Sequence, residues 1–140
     1  MILIVGATGN LGTEITRQLA KNGQSIRALV RPTSDQAKVD MLRGLGAEIA
    51  WGEMQDPASL DAACQGAAAV ISTVSAMPSS YEPQENNIQN VDIQGLTNLI
   101  DATKSAGVGH LIYTSLSGGI DLDFPLRNAK RAIEKQVEES

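Results

Sequence analysis

The sequence of 140 residues has very few of the side chains that bind transition metals or form covalent cross-links. It contains a single cysteine, Cys64, and a single histidine, His110. One cysteine cannot form a disulfide within the chain, and together the two residues cannot form a zinc cluster. We therefore expect no metal site, and the lack of a disulfide framework predicts a reducing compartment, the cytoplasm.

The chain also lacks an excess of positive charge. It has 11 basic and 16 acidic residues, a net charge of −5, and no basic stripe. This balance argues against binding to nucleic acid or to anionic membranes. The apolar N-terminus ends at Gly6, which makes it too short for a membrane span, and it lacks the basic leader of a signal peptide. We expect small molecules as ligands.

The apolar residues, 42% of the chain, lie mainly in short runs. These runs are rich in β-branched residues and nearly continuous, which is typical of strands buried on both faces. They cover residues 2–5, 26–30, 47–51, 68–73 and 110–114.

Helical patterns separate the runs, so that strands and helices alternate. Such alternation predicts parallel strands joined by crossover helices, and therefore an α/β fold in three layers. We predict one domain over residues 1–140, a doubly wound parallel sheet with strand order 3-2-1-4-5.

A glycine-rich loop follows the first run, with Gly6, Gly9 and Gly12 spaced three residues apart. In a dinucleotide-binding loop the first glycine permits a sharp turn, the second lets backbone approach a pyrophosphate, and the third lets the helix pack on the sheet. Free N–H groups at the helix start attract the anion. The loop therefore predicts cofactor contacts from all three glycines and from Thr8, Asn10 and Leu11. The alternative is a tight turn with no ligand.

The end of the second run predicts which dinucleotide is bound. NAD sites usually have Asp or Glu there to hold the ribose 2′-hydroxyl. This chain has Arg31 followed by hydroxyl residues, among them Ser34, and guanidinium suits a 2′-phosphate. NADP(H) is therefore predicted over NAD(H). Two alternatives stay open, that Arg31 is a solvated surface residue and that Asp35 binds the ribose.

Several short segments form a recognisable series along the chain. They are residues 5–12 (VGATGNLG), 28–31 (ALVR), 52–53 (GE), 56–60 (DPASL), 98–102 (NLIDA) and 112–115 (IYTS). Taken together, they resemble the NmrA-like and isoflavone-reductase-like families of atypical short-chain dehydrogenase/reductases, across essentially the whole chain.

The resemblance implies an NADP-binding Rossmann domain, with reductase activity in many members and nucleotide sensing in others. It implies adenine-side contacts from Glu53 and Met54. It also implies that residues 72–75 and 114–117 face the nicotinamide, so that the nicotinamide contacts are Thr73, Val74, Ser75 and Thr114. Family members continue into a substrate-binding region that these 140 residues do not include.

The last helix, predicted over residues 126–138, has an inward stripe of Leu126, Ala129, Ile133 and Val137. Lys130 falls within this stripe, and its charged neighbours, including Arg131 and Glu134, fall on the opposite, solvated face. An inward lysine could bind a ribose hydroxyl or protonate a carbonyl, and a water held by Ser115 is the alternative source of the proton. The alternative is a lysine whose ammonium reaches solvent. The tyrosine that short-chain dehydrogenases have four residues before the lysine is replaced by Leu126.

Two functions follow from these observations. The first is an NADPH-dependent oxidoreductase acting on a small carbonyl, quinone or enone. The second is a noncatalytic NADP(H)-binding redox sensor, regulatory or assembly module. We also expect self-association through the edge of the fifth strand or through the face formed by Leu126, Ile133 and Val137.

Overall fold

The computed structural model describes residues 1–77 and 81–140. Residues 75–85 are rich in serine and proline, a composition that predicts a loop, and part of this stretch lies outside the described residues. The strands are β1 (Ile2–Val5), β2 (Ile26–Val30), β3 (Glu48–Trp51), β4 (Ala69–Ser72) and β5 (His110–Tyr113). The helices are α1 (Asn10–Lys21), α2 (Gln36–Gly44), α3 (Pro57–Cys64), α4 (Leu96–Ser105) and α5 (Pro125–Glu138).

The strands form a parallel sheet in the order β3-β2-β1-β4-β5. The predicted strand order is therefore confirmed. In the register of the sheet, Ile2 of β1 lies beside Ile26 of β2 and Ala69 of β4. Because all the strands run the same way, their carboxyl ends meet at one edge, where ligands bind in doubly wound folds.

Apolar clusters on both faces of the sheet produce the three layers. Leu3 and Val5 of β1 point into a cluster with residues of α3, α4 and α5, whereas Ile4 points into a second cluster with Val39 and Leu42 of α2. All five side chains are at most 1% exposed. Burying each one contributes about 1.5–3 kcal/mol relative to leaving it in water, which explains why the runs are continuous rather than alternating.

Side-chain caps determine where two of the helices begin. The carboxylate of Asp56 accepts a hydrogen bond of 3.2 Å from the N–H of Ala58, and Pro57 occupies the first helical position. Asp35 caps α2 in the same way, so this helix begins at Gln36.

The segment before α4 departs from an ordinary helix. The apolar pattern predicts one helix over residues 86–106, but residues Ile88–Gly95 form a π-helix that leads into α4. Its Asp92 is 0% exposed. Short π-helical segments are rare and often occur at functional sites.

The last strand and helix expose part of their apolar surface. Ile112 of β5, at one edge of the sheet, is 52% exposed. On α5, Ala129 and Ile133 are buried, and Leu126 and Val137 are half-buried. Within residues 1–77 and 81–140, the model contains no helix with the length and hydropathy needed to cross a bilayer.

Candidate functional site

A cleft of about 630 Å³ lies at the carboxyl ends of β1, β2 and β4. Residues predicted separately from the glycine loop, from the end of the second strand and from the family resemblance line this one cleft. They are Gly6, Thr8, Gly9, Asn10, Leu11, Arg31, Glu53, Met54, Thr73, Val74 and Ser75. The fold therefore brings most of the predicted cofactor contacts together.

Two of the loop glycines are required by the protein's own packing. Gly6 has a φ of +88°, and a Cβ on it would lie 2.6 Å from Oγ1 of Thr73. A Cβ on Gly12 would lie 2.1 Å from the carbonyl oxygen of Gly6. Gly12 thus lets α1 begin directly against the loop, behind the cleft rather than in its lining.

Gly9 differs from the other two. Its φ of −79° is open to any residue, and within the described chain a Cβ there would meet only the carbonyl oxygen of Gly6, at 3.3 Å. That contact is tight and would need a shift of a few tenths of an ångström, a much milder demand than the overlaps at Gly6 and Gly12. The effect of Gly9 is to leave space on the cleft side of the loop.

The first turn of α1 presents backbone donors to the cleft. Among the described residues no side chain caps this helix, and its first turn contains no acidic residue. Uncapped N–H groups and the positive end of the helix dipole attract anions. Leu11 is 53% exposed and lines the cleft, so it does not continue the buried face of α1.

The far end of the cleft is basic. Arg31 lies at the end of β2, and the cleft lining there also includes Thr33 and Lys38. Among the described residues the Arg31 guanidinium has no ion-pair partner. Ser34 is outside the lining, in a turn where its N–H donates to the carbonyl oxygen of Arg31 at 2.9 Å.

Asp35, the alternative ribose ligand, caps the N-terminus of α2. One of its carboxylate oxygens accepts hydrogen bonds from the N–H groups of Ala37 at 2.8 Å and Lys38 at 3.3 Å. Asp35 does not line the cleft, whereas Lys38 does. Sequence reasoning missed Lys38, although its place in the first turn of the helix after Arg31 was a usable signal.

The other wall is formed by the loop after β3 and by described residues that lie between the end of β4 and the first turn of the π-helix. Gln55 donates a hydrogen bond of 3.0 Å to the carbonyl oxygen of Glu85 and so joins the two. No sequence pattern pointed to this segment as part of the site. Its residues in the cleft lining, all of them missed, are Met77, Glu82, Glu85, Asn86 and Val91.

The predicted residues after β5 do not line the cleft. Oγ1 of Thr114 donates to the carbonyl oxygen of Ser72 at 3.2 Å, which fixes the end of β5 to β4. The Ser115 hydroxyl donates to Glu134 of α5, and this bond lowers the pKa of the glutamate. Glu134 and Arg131 thus contact the loop after β5 and are half-buried, so their predicted place on a solvated face was wrong.

Lys130 is 5% exposed and points inward from α5. Its Nζ donates hydrogen bonds of 3.3 Å to the Tyr113 hydroxyl and to the carbonyl oxygen of Thr114, and it lies 3.8 Å from Oδ1 of Asp92. Burial lowers the pKa of Lys130, and the charges of Asp92 and Glu134 act in the opposite direction. The ammonium is therefore held inside the protein and does not extend into solvent.

Metal ligation finds no support in the described part of the chain. Residues 1–77 and 81–140 contain no group of three or more His, Cys, Asp or Glu side chains arranged to hold an ion. Cys64 is buried in the core, where burial raises the pKa of its thiol to about 11.

A parallel sheet with a glycine loop and an uncapped helix start at its central strand defines a Rossmann-type domain. The model of the NmrA-like family matches residues 1–140, and the chain belongs to this family. It is 33% identical over 141 residues to the photosystem II assembly factor Ycf39 of Trieres chinensis, covering 99% of this chain and 42% of that protein. It is 32% identical over 142 residues to the NAD(P)H azoreductase of Xenophilus azovorans, covering 100% of this chain and 44% of that protein.

Among solved structures, the chain is similar to an NADPH-dependent quinone oxidoreductase from Escherichia coli complexed with NADPH. The TM-score is 0.75 at 28% sequence identity, over 99% of this chain and 45% of the other. The chain thus spans less than half the length of each of these three proteins.

Proposed function

We propose that this chain is the NADP(H)-binding part of an NADPH-dependent oxidoreductase that acts on a small carbonyl, quinone or enone. The observation that carries the proposal is the cleft itself, in which an open Gly9, an uncapped helix start and two cations line one continuous surface. The NADPH in the complex of the related quinone oxidoreductase and the name of the related azoreductase support the same cofactor.

The cleft residues suit the parts of NADP(H) in order. The N–H groups at the start of α1 would hold the pyrophosphate, because they are free and lie at the positive end of the helix. Arg31 and Lys38, with Thr33, would hold the 2′-phosphate, whereas Ser34, predicted for the same role, lies outside the lining. Glu53 and Met54 would contact the adenine side, and residues 73–75 the nicotinamide side. When bound, the cofactor supplies a hydride.

The chain's own groups limit where the accompanying proton comes from. Leu126 cannot donate a proton, and burial together with the Asp92 and Glu134 charges raises the pKa of Tyr113, which makes that phenol a weaker acid than an ordinary tyrosine. Lys130 is thus our proposed source, directly or through a water held near Ser115. The hydroxyl of Ser115 is hydrogen-bonded to Glu134, so a role for Ser115 would use its oxygen as an acceptor.

A specific observation favours a second function, a noncatalytic NADP(H)-binding module in assembly or regulation. Position 126 lacks the tyrosine of ordinary short-chain dehydrogenases, and one relative is named an assembly factor. Both functions use the same cleft and differ in whether a hydride is transferred.

Two measurements separate the candidates. Calorimetry with NADPH and NADH tests binding, and loss of NADPH absorbance with a panel of quinones, azo dyes and small carbonyls tests turnover. Binding with turnover that falls in Lys130→Met supports the oxidoreductase. Binding without turnover of any compound supports the module, and no binding would overturn both.

A further inference from the structure

The buried charges beneath the cleft wall form a connected group that the sequence did not reveal. Asp92 of the π-helix is 0% exposed, Lys130 of α5 is 5% exposed, and their charged atoms lie 3.8 Å apart. A carboxylate is almost never fully buried unless it is paired or hydrogen-bonded, because removing it from water is costly. Removing either member of the pair would therefore leave the other charge buried without its counter-charge.

The two oxygens of Asp92 have different environments. Oδ2 accepts a hydrogen bond of 3.0 Å from the N–H of Ala76. Oδ1 faces Lys130 and has no hydrogen-bond partner among the described residues. One carboxylate thus contacts both the lysine and the segment after β4.

That segment forms part of the cleft. Ser75 and Met77, on either side of Ala76, both line it, as does Val91, the neighbour of Asp92 in the π-helix. A change at Asp92 therefore acts on Lys130 and on the predicted nicotinamide side of the cleft together. Asp92 itself is not in the lining, so its effect is exerted through these neighbours.

We propose that Asp92 is a positioning residue, which holds the Lys130 ammonium in place and in its charged form beside the wall of the cleft. The other groups that face Lys130 are the Tyr113 hydroxyl, the carbonyl oxygen of Thr114 and, more weakly, Glu134 on the same helix. Of these, Glu134 is bound by Ser115 and Arg131, which leaves Asp92 as the buried counter-charge. The inference rests on the proposed function only for what Lys130 does in the reaction.

The main test is Asp92→Asn, because asparagine can still accept the Ala76 hydrogen bond but has no charge. The pKa of Lys130 is measured by nuclear magnetic resonance of protein with carbon-labelled lysine, the signal being assigned with Lys130→Arg. We expect the pKa of Lys130 to fall by about one to three units, since an opposite charge at this distance favours the charged form. Asp101→Asn, which removes an exposed carboxylate from α4, should leave it unchanged. An unaltered pKa in folded Asp92→Asn overturns the proposal.

A second measurement covers the case in which Asp92→Asn does not fold alone. Lys130→Met leaves a buried, unpaired carboxylate and should lower the urea midpoint of unfolding, and adding Asp92→Asn to it should raise the midpoint again. Simple additivity of the two changes would contradict the pairing. Neither readout needs cofactor or turnover, so failure of the proposed function is distinguished from failure of this inference.

If the protein turns over NADPH, Asp92→Asn has a further expected effect. The alkaline limb of the pH profile of kcat/KM should move to lower pH, by as much as the pKa of Lys130 moves. A loss of activity with an unmoved limb would mean that Asp92 only supports the fold, and would count against its positioning role.

Discussion

The side-chain amide of Asn98 donates a hydrogen bond of 3.0 Å to the backbone carbonyl of Met54, which ties α4 to the loop that lines the cleft. One turn earlier, Gly95 lies against the same residue, because a Cβ there would be 2.7 Å from Cβ of Met54. The loop after β3, which lines the cleft, therefore packs directly against the backbone at the start of α4.

Gly95→Ala should damage this wall. The added methyl would meet both Met54 and, at 3.0 Å, the carbonyl oxygen of Asn90, so we expect a loss of about 1–3 kcal/mol in the free energy of unfolding. NADPH affinity should fall as well. Gly44→Ala is the matched control, since beyond its own helix turn a Cβ there would meet none of the described residues within 4 Å, and it should be neutral or stabilising. Urea unfolding measures the free energy of unfolding, and calorimetry measures the NADPH affinity. Equal results for the two variants would contradict the packing of Met54 against Gly95.

Gly9→Val tests whether the glycine loop binds a ligand. The branched side chain would occupy the space left on the cleft side, so dinucleotide binding should be abolished while the circular dichroism spectrum stays that of a folded protein. Gly12→Val is the contrasting variant, because it collides with the loop backbone and should unfold or strongly destabilise the chain. Unchanged affinity in folded Gly9→Val would mean that the loop is only a turn.

Arg31→Ala and Lys38→Ala should each weaken NADPH binding about ten- to a hundredfold, the equivalent of losing a hydrogen bond to a charged group. NADH has no 2′-phosphate, so its affinity should change little. Arg43→Ala, which removes an exposed arginine that pairs with Asp40 on α2, is the control. Equal calorimetric affinities for NADPH and NADH in the unmodified protein would refute the assignment of this end of the cleft.

Cys64 should make the protein less stable at alkaline pH. Burial raises the pKa of its thiol from 9.0 to about 11, so the unfolded chain releases this proton first as the pH rises. The stability that the neutral thiol provides is complete below about pH 9 and is lost as the pH rises towards 11. Urea midpoints of Cys64→Ala should decline less steeply across this window. A parallel decline would assign the loss to other groups, such as Tyr113, whose pKa is also raised.

The edge at β5 should promote association of this 140-residue chain. Ile112 is 52% exposed on an edge strand, and a strand edge presents unpaired backbone groups. We expect light scattering to show concentration-dependent oligomers, and Ile112→Lys to reduce them. Leu122→Lys is the control, because Leu122 is 73% exposed but lies in a loop. A monodisperse monomer at all concentrations would show that the edge is protected.

The sheet was predictable because each of its signals is local. Continuous β-branched runs, helices between them and glycines at spacing three identify the strand order and one wall of the cleft without reference to any distant residue. Arg31 was found in the same way, since its position follows directly from the end of β2.

The missed residues depend on contacts between distant segments. Asp92 is a single carboxylate in a helical pattern, which ordinarily predicts a solvated position. Its burial is explained by two distant partners, Lys130, 38 residues later, and the N–H of Ala76, 16 residues earlier. Glu85 likewise lines the cleft where Gln55, 30 residues earlier, donates a hydrogen bond to its carbonyl oxygen. Such effects arise when the elements pack, and a linear pattern does not contain them.

The central place of β1 has a consequence for how the chain would respond to a ligand. β1 is hydrogen-bonded to β2 on one side and β4 on the other, so its amides can exchange with solvent only when the whole sheet opens. The glycine loop continues directly from this strand. Free energy gained when a ligand binds the loop would therefore slow hydrogen exchange at Ile4, deep in the interior, as well as at the surface where the ligand sits.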